Sequence, residues 1–253
     1  EHPTSVSRVA WAPNGRWIYF VAPDEKTEQQ KKRDEAKDDV FRYDEDYQQE
    51  HLWRMSPDGG DPERLTEGDF SVSDYHLSRD GTQLTSYRRP APVWDNGKGE
   101  VWLANADGSS ARQLTNNSVP ERGAQLSPDN SQVLFTGFFN EEFEFYYNDK
   151  IFLVPASGGP PRQFLPALQH QVSGAAWSAN GRSVFFLGNT GVRQAEKTDS
   201  DRIDAPARPE ERNEDRHDRD SNERLPILIL VVLGVAVVDS AAKREQSSHK
   251  GAV

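Results

Sequence analysis

An all-β fold, part of a β-propeller, is what this sequence predicts, from two interleaved series of turns and the spacing between them. In the first series an apolar or aromatic stretch runs into a turn and out into a β-branched, aromatic strand. This happens at Ala12-Pro13-Asn14-Gly15, Ser78-Arg79-Asp80-Gly81, Ser127-Pro128-Asp129-Asn130 and Ser178-Ala179-Asn180-Gly181. In the second, Asp58-Gly59-Gly60, Asp107-Gly108-Ser109 and Ser157-Gly158-Gly159 follow strands typified by Leu52-Trp53, Val101-Trp102 and Ile151-Phe152. They precede Arg64-Leu65-Thr66, Arg112-Gln113-Leu114-Thr115 and Arg162-Gln163-Phe164-Leu165. Each repeat therefore reads strand, turn, strand, loop, strand, turn, strand. The third observation is the period of about 50 residues, which suits four-stranded blades rather than leucine-rich or helical repeats.

Taken in order, blade 1 covers about 5–66 with a charged insertion at 24–49, blade 2 about 70–115 and blade 3 about 121–165. A fourth blade begins at about 171–192, giving about three and a half blades within 5–192. Blades bury both faces against neighbours, which accounts for Ile18-Tyr19-Phe20-Val21, Val133-Leu134-Phe135 and Val184-Phe185-Phe186-Leu187 being apolar on both sides. Trp11, Trp53, Trp102 and Trp177 recur at related positions and are expected to be packing residues. Closed propellers have 4 to 8 blades, so the ring as written is open and the chain is expected to be a piece of something longer.

The insertion alternates charge from Lys26 to Asp39, as a solvated helix or mobile loop does, and ends in Tyr43-Asp44-Glu45-Asp46-Tyr47. Asp44, Glu45 and Asp46 are candidates to attract a cationic group, the alternative being a solvated acidic edge. Between two strands of blade 3, Glu141-Glu142-Phe143-Glu144-Phe145-Tyr146-Tyr147 mixes carboxylates with aromatics, and Glu141 and Glu142 are candidates to hold an ammonium group. Trp94, in the loop Pro90-Ala91-Pro92-Val93-Trp94-Asp95, is the aromatic most free to contact a ligand. Residues 193–224, rich in Asp, Glu, Arg, Asn and Pro, are expected to be disordered. Within 225–253 the apolar run Leu225–Val238 falls short of the ~20 residues of a membrane span. It suits a buried strand or an aggregation-prone segment, outside the blade pattern.

Of 253 residues 34% are hydrophobic and 28% charged, and the net charge of -11 argues against nucleic acid or an anionic membrane as partner. There is no cysteine, which excludes a disulfide framework and thiolate metal sites and leaves the compartment open. Cytoplasmic placement is the expectation, periplasmic the alternative. No Gly-x-Ser-x-Gly elbow, His-Glu-x-x-His pair, phosphate loop or dinucleotide fingerprint occurs, and the histidines lack ligand spacing. Neither a metal nor another cofactor is expected.

The hairpin Trp11-Ala12-Pro13-Asn14-Gly15-Arg16-Trp17-Ile18-Tyr19-Phe20, with Asp58-Gly59-Gly60 and Arg64-Leu65-Thr66, resembles TolB-type, WD40-like propeller repeats. The insertion from Lys31-Lys32-Arg33 to Asp38-Asp39, with Tyr43-Asp44-Glu45-Asp46-Tyr47 and His51-Leu52-Trp53, is similar to the first blade of prolyl oligopeptidase family serine peptidases. The dipeptidyl and acylaminoacyl peptidase-like branch looks nearest. That resemblance implies a propeller that limits access of short peptides to a carboxy-terminal α/β-hydrolase domain, which would be the partner of this chain. No catalytic Ser, Asp or His carries over, so no peptidase activity is expected of this chain alone. In some members a propeller glutamate pair grips the substrate's amino end, and Glu141-Glu142 stands nearest to that role here. The alternative is a TolB-like protein-binding module with no peptidase parent.

Overall fold

The computed structural model describes residues 2–38, 40, 42, 46–92, 99–117, 119–138, 148–168 and 170–189, together with the strand backbone of 233–237. Four antiparallel sheets follow one another along the chain. Blade 1 is β1 (Ser7–Trp11), β2 (Ile18–Pro23), β3 (Glu50–Met55) and β4 (Glu63–Arg64), and a helix α1 (Glu28–Glu35) lies between β2 and β3. Blade 2 is β5 (Ser71–Leu77), β6 (Gln83–Arg89), β7 (Glu100–Asn105) and β8 (Arg112–Gln113). Blade 3 is β9 (Glu121–Leu126), β10 (Gln132–Phe138), β11 (Asp149–Pro155) and β12 (Arg162–Phe164). The fourth sheet pairs β13 (Gln171–Trp177), β14 (Ser183–Asn189) and β15 (Leu233–Val237).

The first turn series works as its residues require. The third residue after Ala12, Ser78, Ser127 and Ser178 has a positive φ of 57° to 69°, and Gly fills that position three times and Asn130 once. The amide of that residue donates to the carbonyl of the first, at 2.9–3.0 Å. In blades 2 to 4 the leading serine adds a clasp: Ser127 Oγ donates to Asp129 Oδ1 at 2.6 Å and accepts from Gln132 N at 3.0 Å. Ser78 and Ser178 repeat this with Asp80 and Asn180. Blade 1 has Ala12 there and keeps only the Asn14 contact, Arg16 N donating to Asn14 Oδ1 at 3.0 Å.

Among the described residues, the three apolar cores each lie between two neighbouring sheets. Tyr19, Val21 and Leu52 of blade 1 meet Val72, Tyr75 and Leu84 of blade 2. Val101 and Leu103 of blade 2 meet Leu126, Val133, Phe135, Phe152 and Val154 of blade 3. On the other face of the same strands, Leu134, Ile151 and Leu153 meet Val172 and Val184 of the fourth sheet. Alternate residues of β10 and β11 thus serve opposite interfaces, which is why these strands are apolar on both sides. Backbone acceptors tie neighbours further: Tyr19 Oη donates to Ala106 O at 2.8 Å and Tyr75 Oη to Arg8 O at 2.6 Å.

Two expectations change. Trp11 is 60% exposed rather than packed, because the interface its face would form is made, in the other blades, by the preceding sheet. Part of the apolar run joins the blade pattern: β15 pairs antiparallel with β14 from Ser183↔Val237 to Leu187↔Leu233. The segment 193–224 lies outside the described residues.

Candidate functional site

The segments β2–β3, β6–β7 and β10–β11 all leave the same end of their sheets, opposite the serine turns, because each joins a second strand to a third. The candidates Asp44, Glu45, Trp94, Glu141 and Glu142 belong to these segments and lie outside the described residues. Asp46 is described. It accepts from Arg33 Nη1 of α1 at 2.8 and 2.9 Å and from Arg42 N at 2.8 Å. The Arg42 amide, then Arg33, holds its carboxyl below the ordinary range. Its cation is therefore supplied from within the insertion. Helix α1, the helix reading of the charge run, starts at a capping box in which Thr27 and Gln30 exchange side-chain and backbone hydrogen bonds.

At the same end of the sheets, the residue opening the third strand's apolar core differs from blade to blade. In blade 1 it is His51, fully buried, with Nδ1 3.1 Å from Thr66 Oγ1 and Nε2 3.5 Å from Asp24 Oδ2. Arg64 completes the group by pairing with Asp24 at 2.9 Å. Burial first, and Arg64 second, keeps the imidazole pKa below its usual value. Thr66 Oγ1 also accepts from Leu52 N at 2.9 Å, and Thr115 does the same for Val101 N at 2.8 Å in blade 2.

In blade 2 the position of His51 is taken by Glu100, and a second carboxyl stands behind it. Glu121 is 1% exposed; its Oε2 accepts from Thr115 Oγ1 at 2.6 Å and Val101 N at 3.2 Å, and its Oε1 accepts from Asn117 Nδ2 at 2.6 Å. Burial pushes Glu121 up to about 7 against these bonds, which favour the ionised form. Glu100 is raised too, chiefly by burial. Its Oε1 accepts from Asn117 N at 2.7 Å, and its Oε2 is buried with no hydrogen-bond partner among the described residues.

Glu100 lines a groove of about 490 Å³ with Phe70, Arg88, Arg89, Trp102 and Asn117. The Arg88 guanidinium sits 4.8 Å from the Phe70 ring centroid and 4.6 Å from that of Trp102. Its Nε donates to Ser86 Oγ at 3.2 Å. Burial lowers its pKa to about 10, so it stays cationic at neutral pH. Arg89 lies 4.0 Å from Glu50.

Trp102, expected from the sequence to be a packing residue, lines this groove, and Arg88 and Glu121 belong to no sequence motif. The repeat carried a signal for both. Counting from the first turn, Arg88 occupies the place of Ala22, Gly137 and Gly188. Glu121 occupies that of Val6, Val72 and Val172, of which the last two are buried in the inter-blade cores. A buried ionisable group where sister repeats keep a small or apolar residue marks a specialised position.

No family model and no curated protein sequence matches the chain. Solved structures do. TolB of Acinetobacter baumannii matches with a TM-score of 0.50 and 15% identity over 75% of this chain and 39% of that one. The blades are propeller blades. A puromycin-hydrolyzing peptidase of Mycobacterium tuberculosis matches with a TM-score of 0.54 and 13% identity, covering 74% of this chain and 28% of that one. The tricorn protease matches with a TM-score of 0.51 and 10% identity, over 74% and 15%. The chain thus spans well under half of each of these proteins, and at such identities the likeness is one of fold. Among the described residues no group of His, Asp and Glu is placed to hold a metal ion, and no helix is long and apolar enough to cross a membrane.

Proposed function

We propose that this chain is the non-catalytic propeller of a prolyl oligopeptidase-like serine peptidase, acting with an α/β-hydrolase domain to restrict access to short peptides. One observation carries the reading. Three segments, whose residues include Asp44, Glu45, Asp46, Trp94, Glu141 and Glu142, leave one end of consecutive blades, the end that a partner domain or a peptide would meet. The likeness of fold to the Mycobacterium tuberculosis peptidase supports it. Within this reading Glu141 and Glu142 hold the ammonium end of a peptide, and Trp94 supplies an aromatic wall. In this reading blade 1 covers about 5–66, blade 2 about 70–115 and blade 3 about 121–165, a fourth starts at about 171–192, and the chain works in the cytoplasm.

Two measurements test this. The purified chain incubated with a chromogenic dipeptide amide should show no turnover; appreciable hydrolysis overturns the non-catalytic assignment. Sequencing the gene downstream should reveal a Gly-x-Ser-x-Gly elbow followed by Asp and His. A stop codon after further blades would instead favour a protein-binding module like TolB, the second reading, which the likeness to that protein supports.

A further inference from the structure

We propose that the groove on blade 2 is a binding site for a small carboxylate ligand that carries a hydrogen-bond donor, with Arg88 as its anchor and Glu100 at its inner end. The site stands on its own residues and does not depend on the peptidase reading. Three observations converge on it.

First, Arg88 is a guanidinium at a position where the other blades have Ala22, Gly137 and Gly188, so the fold does not require a long side chain there. Second, the guanidinium is held without being used up. Two aromatic rings and Ser86 Oγ fix its plane, and among the described residues its terminal nitrogens meet no carboxylate. A planar, pre-oriented fork is what a carboxylate binds with two parallel hydrogen bonds, and orientation in advance lowers the entropy cost of binding. Third, Glu100 is 8% exposed, and among the described residues its Oε2 has no hydrogen-bond partner in the same groove. A buried acceptor left unmade is costly, and a ligand N–H or O–H would recover that cost.

The charges facing the groove permit an anion despite the net charge of -11. Arg88 and Arg89 bring two cations, the second lying 4.0 Å from Glu50, while Asp69 is exposed at the rim and accepts from Gln49 Nε2 at 2.8 Å. Glu100 lies at the inner end, where the ligand's hydrogen-bond donor rather than its carboxylate would face it. Charges beyond about 8–10 Å are screened at physiological salt, so the net charge of -11 does not oppose an anion at Arg88.

Isothermal titration of the whole chain tests the proposal with N-acetylalanine, propionate, N-acetylalaninamide and glucuronate. N-acetylalanine should bind, propionate more weakly for want of an N–H, and N-acetylalaninamide at least about tenfold more weakly for want of the carboxylate. Glucuronate binding more tightly than N-acetylalanine would identify a sugar acid rather than a peptide end as the source of the carboxylate. Arg88→Ala should abolish binding, and Arg88→Lys, which keeps charge without the fork, should weaken it several-fold. Circular dichroism and the denaturant midpoint establish that each variant is folded. Absence of carboxylate binding, equal binding of the amide, or unchanged affinity in folded Arg88→Ala or Arg88→Lys overturns the site. A chromogenic dipeptide amide left intact has no bearing on it, so the two readings fail separately.

Discussion

Blades 1 and 3 carry the same repeat, yet the face each turns toward the preceding position has opposite character. Leu126 of blade 3, just before its first turn, is 8% exposed and packs against Val101 and Leu103 of blade 2. Trp11, at the same place in blade 1, is 60% exposed, as are Val9 at 60% and Val6 at 49%. The strand alone does not bury its residues; the neighbouring blade does. On that open face, Phe20 and Trp53 are instead met by His2, with ring centroids 5.4 and 4.7 Å away in edge-on geometry. A blade is thus a half-interface, as repeat units generally are, and its stability belongs to pairs rather than to single sheets.

The largest test of that contrast exchanges each residue for alanine. Leu126→Ala should cost about 2–5 kcal/mol in denaturant unfolding, since it opens a cavity in a closed interface. Trp11→Ala should cost under about 1 kcal/mol, because most of the indole already meets water. Equal losses would show that the β1 face is covered in solution.

Next in size is a pH effect confined to the closed interface between blades 2 and 3. Folded Glu121 keeps its proton up to about 7, whereas an unfolded glutamate releases it near ~4.3. Between those values the folded state binds more protons, so its stability falls as pH rises through the window, by on the order of 3 kcal/mol in all. The Glu121→Gln chain should lose that slope whatever its absolute stability. Blade 1 offers no counterpart, since Val6 stands in that place. A slope that survives the substitution would assign it elsewhere.

Much of the architecture was legible in the turns, because backbone geometry there depends on one residue. Gly15, Gly81, Asn130 and Gly181 all sit at positive φ, and spacing alone located them. The two-faced apolar strands were legible for a similar reason, as Leu134 and Phe135 could not both be buried by a single neighbour. The groove was not, because its residues become informative only when repeats are superposed: Arg88 looks like any strand-end arginine until set beside Ala22, Gly137 and Gly188. Exposure of Trp11 was hidden by the same rule that made the blades visible, since a repeat pattern describes a residue and not its missing neighbour.

A smaller effect separates two glycines in equivalent turns. Gly108 has φ +83°, and a Cβ there would run into the Leu65 carbonyl oxygen of blade 1. Gly59 has φ +101°, and a Cβ there would meet nothing within 4 Å, since among the described residues no sheet packs on that side. Both alanine variants carry the backbone penalty of about 1 kcal/mol, and only Gly108→Ala adds the clash. Thermal unfolding should therefore rank Gly108→Ala below Gly59→Ala. The reverse order would mean that blade 1 is packed on its open side.

The smallest effect lies in the first turns, where blade 1 has already made the substitution. Ser127→Ala removes the hydroxyl that donates to Asp129 and accepts from the Ser131 and Gln132 amides at 3.1 and 3.0 Å. A loss of about 1 kcal/mol is expected, the ordinary net worth of such bonds. Ala12→Ser should gain no more than that, because Asn14 rather than an aspartate would receive its hydroxyl. The sign with pH follows from Asp129, whose carboxyl is held low first by the Ser127 hydroxyl and then by Ser131. Its contribution is present above the unfolded aspartate pKa and is lost as pH falls through the lower folded value. The gap between wild type and Ser127→Ala should therefore narrow on acidification, while Ala12→Ser, with no carboxylate in its turn, should show no such narrowing.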